Sequence, residues 1–151
     1  MNRIRSIFLT FVGVALLGTS TLAAKTVVVE GNDQMKFSVN KIEAVAGSEL
    51  TIVLKNVGKM PKAAMGHNLV VLHKDVDAQA FAQAAAASPT TEYIPPAMKD
   101  QVLATTKLLG PGEEDSITFT VPDEPGEYVY LCSFPAHYIV GMKGVIVVTA
   151  E

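Results

Sequence analysis

The chain has a single cysteine, Cys132, and that scarcity excludes an internal disulfide. Secreted domains usually pair an even number of cysteines, so a solitary one is an inert thiol, an intermolecular link or a metal ligand. Read without its neighbours, the inert thiol is the simplest of the three, because free cysteine behaves as a small hydrophobe. Histidine is nearly as scarce, with His67, His73 and His137 making up the whole set. Basic clusters and charge runs are missing, which excludes a nucleic-acid footprint. Beyond the first two dozen residues no apolar run approaches the about 20 residues that a membrane span needs. Internal repeats and linkers are absent as well.

The N-terminus holds the one apolar run of note. Arg3 and Arg5 precede the stretch 7–17, Gly18 and Ser20 interrupt it, and Thr21, Leu22, Ala23 and Ala24 supply small residues suited to cleavage. This pattern predicts a secretory signal peptide over residues 1–24. Ile4 separates the arginines, so the twin-arginine signal is lacking, and no cysteine follows the run to take a lipid. Export as an unfolded chain, with metal acquired afterwards, is the expectation. Residues 25–151 then suit one domain with its own core. They carry ten basic and fifteen acidic side chains, a formal charge of −5.

Short β-branched and apolar runs bounded by Gly, Pro, Asn and Asp predict an all-β sandwich or barrel. Strands are expected at 26–30, 37–39, 42–45, 50–56, 67–73, 105–109, 116–121, 127–132 and 143–149. Alternation places Tyr128 and Tyr130 on one face and Val129 and Leu131 on the other. The exception is 76–88, where alanines dominate and helix propensity prevails up to Pro89. Residues 76–100 are therefore expected as a helical flap inserted outside the sheets.

Chemistry concentrates in the run from Cys132 to Met142, where a thiol, an imidazole (His137) and a thioether share one loop. A second imidazole, His67, lies upstream between Gly66 and Asn68. Two His, one Cys and a Met form the donor set of a blue-copper electron-transfer site. In that arrangement Cys132 is the covalent thiolate ligand, His67 and His137 complete a plane, and Met142 is a long axial donor. Gly66 would present its backbone carbonyl from the opposite side, since a residue without Cβ lets backbone approach closely. Asn68 would tie the two ligand-bearing segments together. His73 has no donor at useful spacing and reads as structural.

Two rival functions remain at this level. A Cys–His nucleophilic enzyme lacks an Asn, Asp or Glu in the loop to orient the imidazole. A copper store or chaperone without redox cycling would expose paired Cys or Met clusters on a mobile segment, whereas these donors are spread over a sandwich frame.

The residues resemble the azurin branch of the cupredoxins through nearly the whole of 25–151. The resemblance is carried by the run Gly31 to Phe37, by Met65-Gly66-His67-Asn68, by the segment from Thr106 to Ser116, and by Cys132-Ser133-Phe134-Pro135-Ala136-His137. Met142-Lys143-Gly144 closes it. It implies a Greek-key sandwich, one copper per chain and periplasmic electron transfer, with His67, Cys132, His137 and Met142 as ligands and Gly66 as the weak carbonyl. It also implies an apolar patch around a protruding His137, formed by Met35, Met65, Phe134, Ala136, Ile139 and Val140. Redox proteins such as cytochromes or copper and haem reductases would dock there transiently. Two departures stand out. His137 and Met142 enclose four residues where azurins have three, as in the auracyanins of photosynthetic bacteria. The azurin N-terminal disulfide is also missing, and its contribution, typically about 2–4 kcal/mol, must come from packing or metal.

Overall fold

A computed structural model describes residues 23–150. The expected signal segment, apart from Ala23 and Ala24, lies outside the described residues. Nine strands form two sheets: β1 (Lys25–Asn32), β2 (Lys36–Phe37), β3 (Lys41–Val45), β4 (Glu49–Asn56), β5 (Val70–Leu72), β6 (Val102–Thr105), β7 (Glu114–Thr120), β8 (Gly126–Leu131) and β9 (Lys143–Thr149). One sheet has the order β2-β1-β4-β7 and the other β3-β9-β8-β5-β6. The β1–β4 and β3–β9 pairings are parallel, and the remaining ones are antiparallel.

Period-two patterning explains how the sheets close. In β4, Leu50, Ile52 and Leu54 turn inward and meet Ile42, Val71, Tyr128, Tyr130, Ile146 and Val148 from the opposite sheet. The expected alternation in β8 holds, with the two tyrosines in this core. Leu131 and Val129 face the other way, into a second cluster with Val70, Leu72 and Phe81.

That second cluster is built by the predicted flap. Helix α2 (Ala78–Ala86) begins at Asp77, whose carboxylate accepts from the Gln79 and Ala80 N–H groups at 3.0 Å. Two 3₁₀ turns follow, Pro89–Thr91 and Pro96–Gln101. Because the flap covers its outer face, β5 is buried on both sides. Full burial of Phe81 contributes about 1.5–3 kcal/mol to this attachment.

Three elements differ from expectation. The strand expected at 67–73 reduces to Val70–Leu72, with His67 outside it in an isolated bridge to Leu109. The strand expected at 105–109 forms instead at Val102–Thr105. Side chains replace the ladder here: Thr106 Oγ1 accepts the Leu69 N–H, the Asp115 carboxylate accepts that of Lys107, and the Glu92 carboxylate accepts that of Leu108. A short helix that periodicity did not announce, α1 (Lys62–Met65), ends at Gly66.

Candidate metal centre

Loops at one end of the sandwich bring the sulfur and nitrogen donors together. His67 is fixed by a reciprocal backbone pair with Leu109, its N–H donating at 3.0 Å and its carbonyl accepting at 2.7 Å. Cys132 leaves the end of β8, and its N–H donates to the Met142 carbonyl at 3.0 Å, so the loop is closed where it starts. Within it the His137 N–H donates to Phe134 O and the Met142 N–H to His137 O. Ala136 adopts φ 70° to make the bend before His137, a conformation that disfavours any residue with a Cβ.

Three donor atoms converge. Cys132 Sγ lies 3.3 Å from His137 Nδ1 and 4.0 Å from His67 Nδ1, and the two Nδ1 atoms are 3.3 Å apart. All three residues are buried. Donors about 2.0–2.3 Å from one first-row ion in a common plane are separated from each other by about 3.5–3.8 Å, so this spacing fits a single metal. The mixture of soft sulfur and imidazole suits copper. Met142 is fully buried in a cluster with Cys132, Phe134 and Leu108. A Cβ built on Gly31 of β1 would lie 3.0 Å from its methyl carbon and 3.2 Å from the His67 ring.

Burial keeps each of the three donors in its neutral form. Burial pushes the Cys132 thiol up to about 12, with the backbones of Asn68 and Phe134 acting in the opposite direction. Burial lowers His137 to about 4, and neighbouring His67 adds to the effect. His67 is lowered too, again by burial, against the raising influence of Asn32 backbone and Asp33. Its Nε2 is buried and forms no hydrogen bond among the described residues. The three donors are thus neutral at pH 7 by themselves, and a cation bound to them would ionise the thiol.

Asn68 links the ligand segments. Its Nδ2 donates to Ser133 Oγ at 2.8 Å and to Glu92 O at 3.0 Å, while Oδ1 accepts from the Ser133 N–H at 2.8 Å. Gly66 is buried, and a Cβ there would meet the Lys62 carbonyl at 2.7 Å and the Leu108 side chain at 3.1 Å. Crowding by α1 therefore suffices to demand glycine. His137 is 1% exposed, beneath Phe134, whose ring centroid is 4.8 Å away. Ile139 is 77% and Val140 43% exposed, Ala136 is exposed, and Met35 and Met65 are half-buried. His73 is exposed and apart from the cluster.

Sequence reasoning passed over Gly31, Leu109, and the turn at Glu92 and Tyr93, where both φ values are positive and Tyr93 packs edge-on against Phe134 at 5.0 Å. Only Gly31 carried a signal: a glycine in a strand pattern marks a close approach.

Comparison with known proteins agrees with this geometry. A sequence model described as copper binding proteins, plastocyanin/azurin family, matches residues 23–149. Azurin of Alcaligenes faecalis is 42% identical over 121 residues, covering 78% of this chain and 93% of its own. Reduced auracyanin of Roseiflexus castenholzii superposes with a TM-score of 0.71 at 34% identity, covering 87% of this chain and 99% of its own. An azurin from Methylomonas sp. strain J gives a TM-score of 0.72 at 32% identity, covering 82% and 97%.

Proposed function

Since this chain belongs to the plastocyanin/azurin family of copper-binding proteins, we propose that it works in the periplasm as a carrier between redox proteins, released there by cleavage after residue 23 or 24. It binds one copper through His67, Cys132, His137 and Met142 and transfers one electron at a time. The metal supplies the redox couple, and the chain supplies a cage that changes little between the two oxidation states. The observation that carries this reading is the convergence of Cys132 Sγ and two Nδ1 atoms within 4.0 Å, each held by backbone bonds to a sheet or loop. A store or chaperone needs ligands that open; these are buried and tied.

In this reading Asn68 positions the ligand segments, the Gly66 carbonyl would be a further weak donor to the copper, and the chain performs no catalysis of its own. The apolar residues Met35, Met65, Phe134, Ala136, Ile139 and Val140 form the docking patch, with cytochromes or copper and haem reductases as the partner class. Electrons leave through the apolar cover of His137, because that ring hardly reaches solvent. No helix among the described residues is long and apolar enough to cross a membrane.

Copper loading of the purified protein tests the proposal. An intense visible sulfur-to-copper band that bleaches and returns over repeated reduction and oxidation is expected, and Cys132→Ser abolishes it. Met142→Leu keeps the band and raises the potential, because losing a soft donor without losing charge favours Cu(I). Release of copper on every reduction would assign the chain to storage, and robust thiol hydrolase turnover in metal-free protein would make it an enzyme.

A further inference from the structure

The charge of the chain is unevenly distributed around the metal centre. The loops, strand ends and helix α1 at this end of the sandwich carry Lys36, Lys59, Lys62, Lys107 and Lys143, all exposed. The acids among them are Asp33, Glu92, Glu113, Glu114 and Asp115: four are turned back onto backbone N–H groups, Asp33 onto those of Lys59 and Met60, Glu92 onto Leu108, Glu113 onto Gly110 and Asp115 onto Lys107, and Glu114 pairs with Lys55 at 3.1 Å. Counting Lys55 with its partner Glu114, six lysines meet five acids here, a charge of +1, while the remainder of residues 25–151 carries −6.

Two of these lysines border the apolar cover of His137 directly. Lys36 Nζ donates to the Val140 carbonyl at 2.7 Å, and Lys143 Nζ sits 4.4 Å above the Tyr138 ring. Between them Ile139 and Val140 stand exposed. Beside Ile139 a groove of about 240 Å³ runs between α2, through Gln79, Gln83 and Ala86, and the loop residues Phe134 and Tyr138. No Asp, Glu, Lys, Arg or His lines it. An apolar knob can seat there without desolvating a charge.

We propose that this face is a cationic rim around an apolar seat, matched to a redox partner whose own exchange surface is ringed by carboxylates. The proposal rests on the reading of His137 as the electron exit. At an ionic strength of 0.1 M the screening length is about 10 Å, so an approaching partner senses the rim and not the acidic body. Association is attractive toward anions although residues 25–151 carry −5 overall. The same complementarity selects against partners with basic exchange faces.

The test is oxidation of the reduced, copper-loaded protein by hexacyanoferrate(III), one electron passing from the protein to each hexacyanoferrate ion to give hexacyanoferrate(II). Between about 0.05 and 0.5 M ionic strength the rate constant falls as salt is added, the behaviour of opposite charges. The pair Lys36→Glu with Lys143→Glu lowers it about tenfold or more at the low end and reverses the slope. Because Lys36 also braces the loop, Lys59→Glu with Lys107→Glu serves as an independent pair and gives a smaller loss in the same direction. Of two c-type cytochromes, one with an acidic and one with a basic haem-edge surface, the acidic one reacts faster by a similar factor. A rate that rises with salt in the unsubstituted protein would overturn the proposal. So would dimerisation through this face, or retention of the protein on anionic phospholipid vesicles that the lysine variants abolish. A protein that takes up copper but shows no visible band would instead defeat the copper-carrier reading, which separates the two failures.

Discussion

Replacing Asn68 with alanine is expected to cost about 3–5 kcal/mol of stability in the metal-free protein. The side chain is fully buried and bonds Ser133 N–H, Ser133 Oγ and Glu92 O. Each bond contributes about 0.5–1.5 kcal/mol net, and a buried donor left without a partner costs about 1–3 kcal/mol. The Ser133 N–H is such a donor, because Ser133 is itself 1% exposed. Urea unfolding of Asn68→Ala, of Ser133→Ala and of the double variant separates the shared contribution. A coupling of at least about 0.5 kcal/mol is expected, since the two residues touch. Asn68 follows one ligand and Ser133 another, so copper-loaded Asn68→Ala should also show a displaced visible band. A loss below about 1 kcal/mol with fully additive variants and an unmoved band would refute the reasoning.

Three further outcomes can be checked. Gly31→Ala places a methyl 3.0 Å from the Met142 methyl and 3.2 Å from the His67 ring; a loss of about 1–3 kcal/mol and a shifted absorption maximum are expected, and an unchanged spectrum would show that neither side chain is pressed. Ala136→Gly relieves φ 70° and should raise the unfolding free energy by about 0.5–1 kcal/mol; a decrease would mean that the methyl packs. Zinc, which cannot oxidise the thiol, should release one proton per ion at pH 7 in an unbuffered titration, because Cys132 is pushed up to about 12 while His137, near 4, is already neutral. As pH falls toward about 4, His137 takes up a proton and loading declines; two protons released per ion at pH 7 would contradict the neutral histidines.

Much of the frame could be read from period-two patterning, because strands such as β4 and β8 sort residues cleanly between a core and another face. The flap was readable for the opposite reason: alanines give helix propensity without alternation. Where side chains substitute for backbone partners, as Thr106, Asp115 and Glu92 do near β6, patterning misplaces a strand by several residues. Helix α1 spans four residues between Pro61 and Gly66, too few for any period to show. The Cys and His donors were readable because those residue types are rare in the chain, and rarity made their conjunction informative. At Gly66 the expectation is a backbone carbonyl approaching the metal, whereas the crowding visible there comes from Lys62 and Leu108. The left-handed turn at Glu92 and Tyr93 had no glycine to announce it. The charge asymmetry emerges only when strand ends are sorted into poles, which requires topology.

His67 lies 65 and 70 positions from Cys132 and His137 along the chain, on a segment joined to theirs only after the sheets with their parallel pairings have assembled. Closing such distant contacts is the slow part of folding a β sandwich. Cys132, His137 and Met142 share one local loop, so an ion could meet them early, but the full cage is complete only when His67 arrives with the assembled sheets. Binding to that completed cage shows in how slowly the finished molecule comes apart: at a hundredfold excess over Kd a bound ion adds about 2.7 kcal/mol.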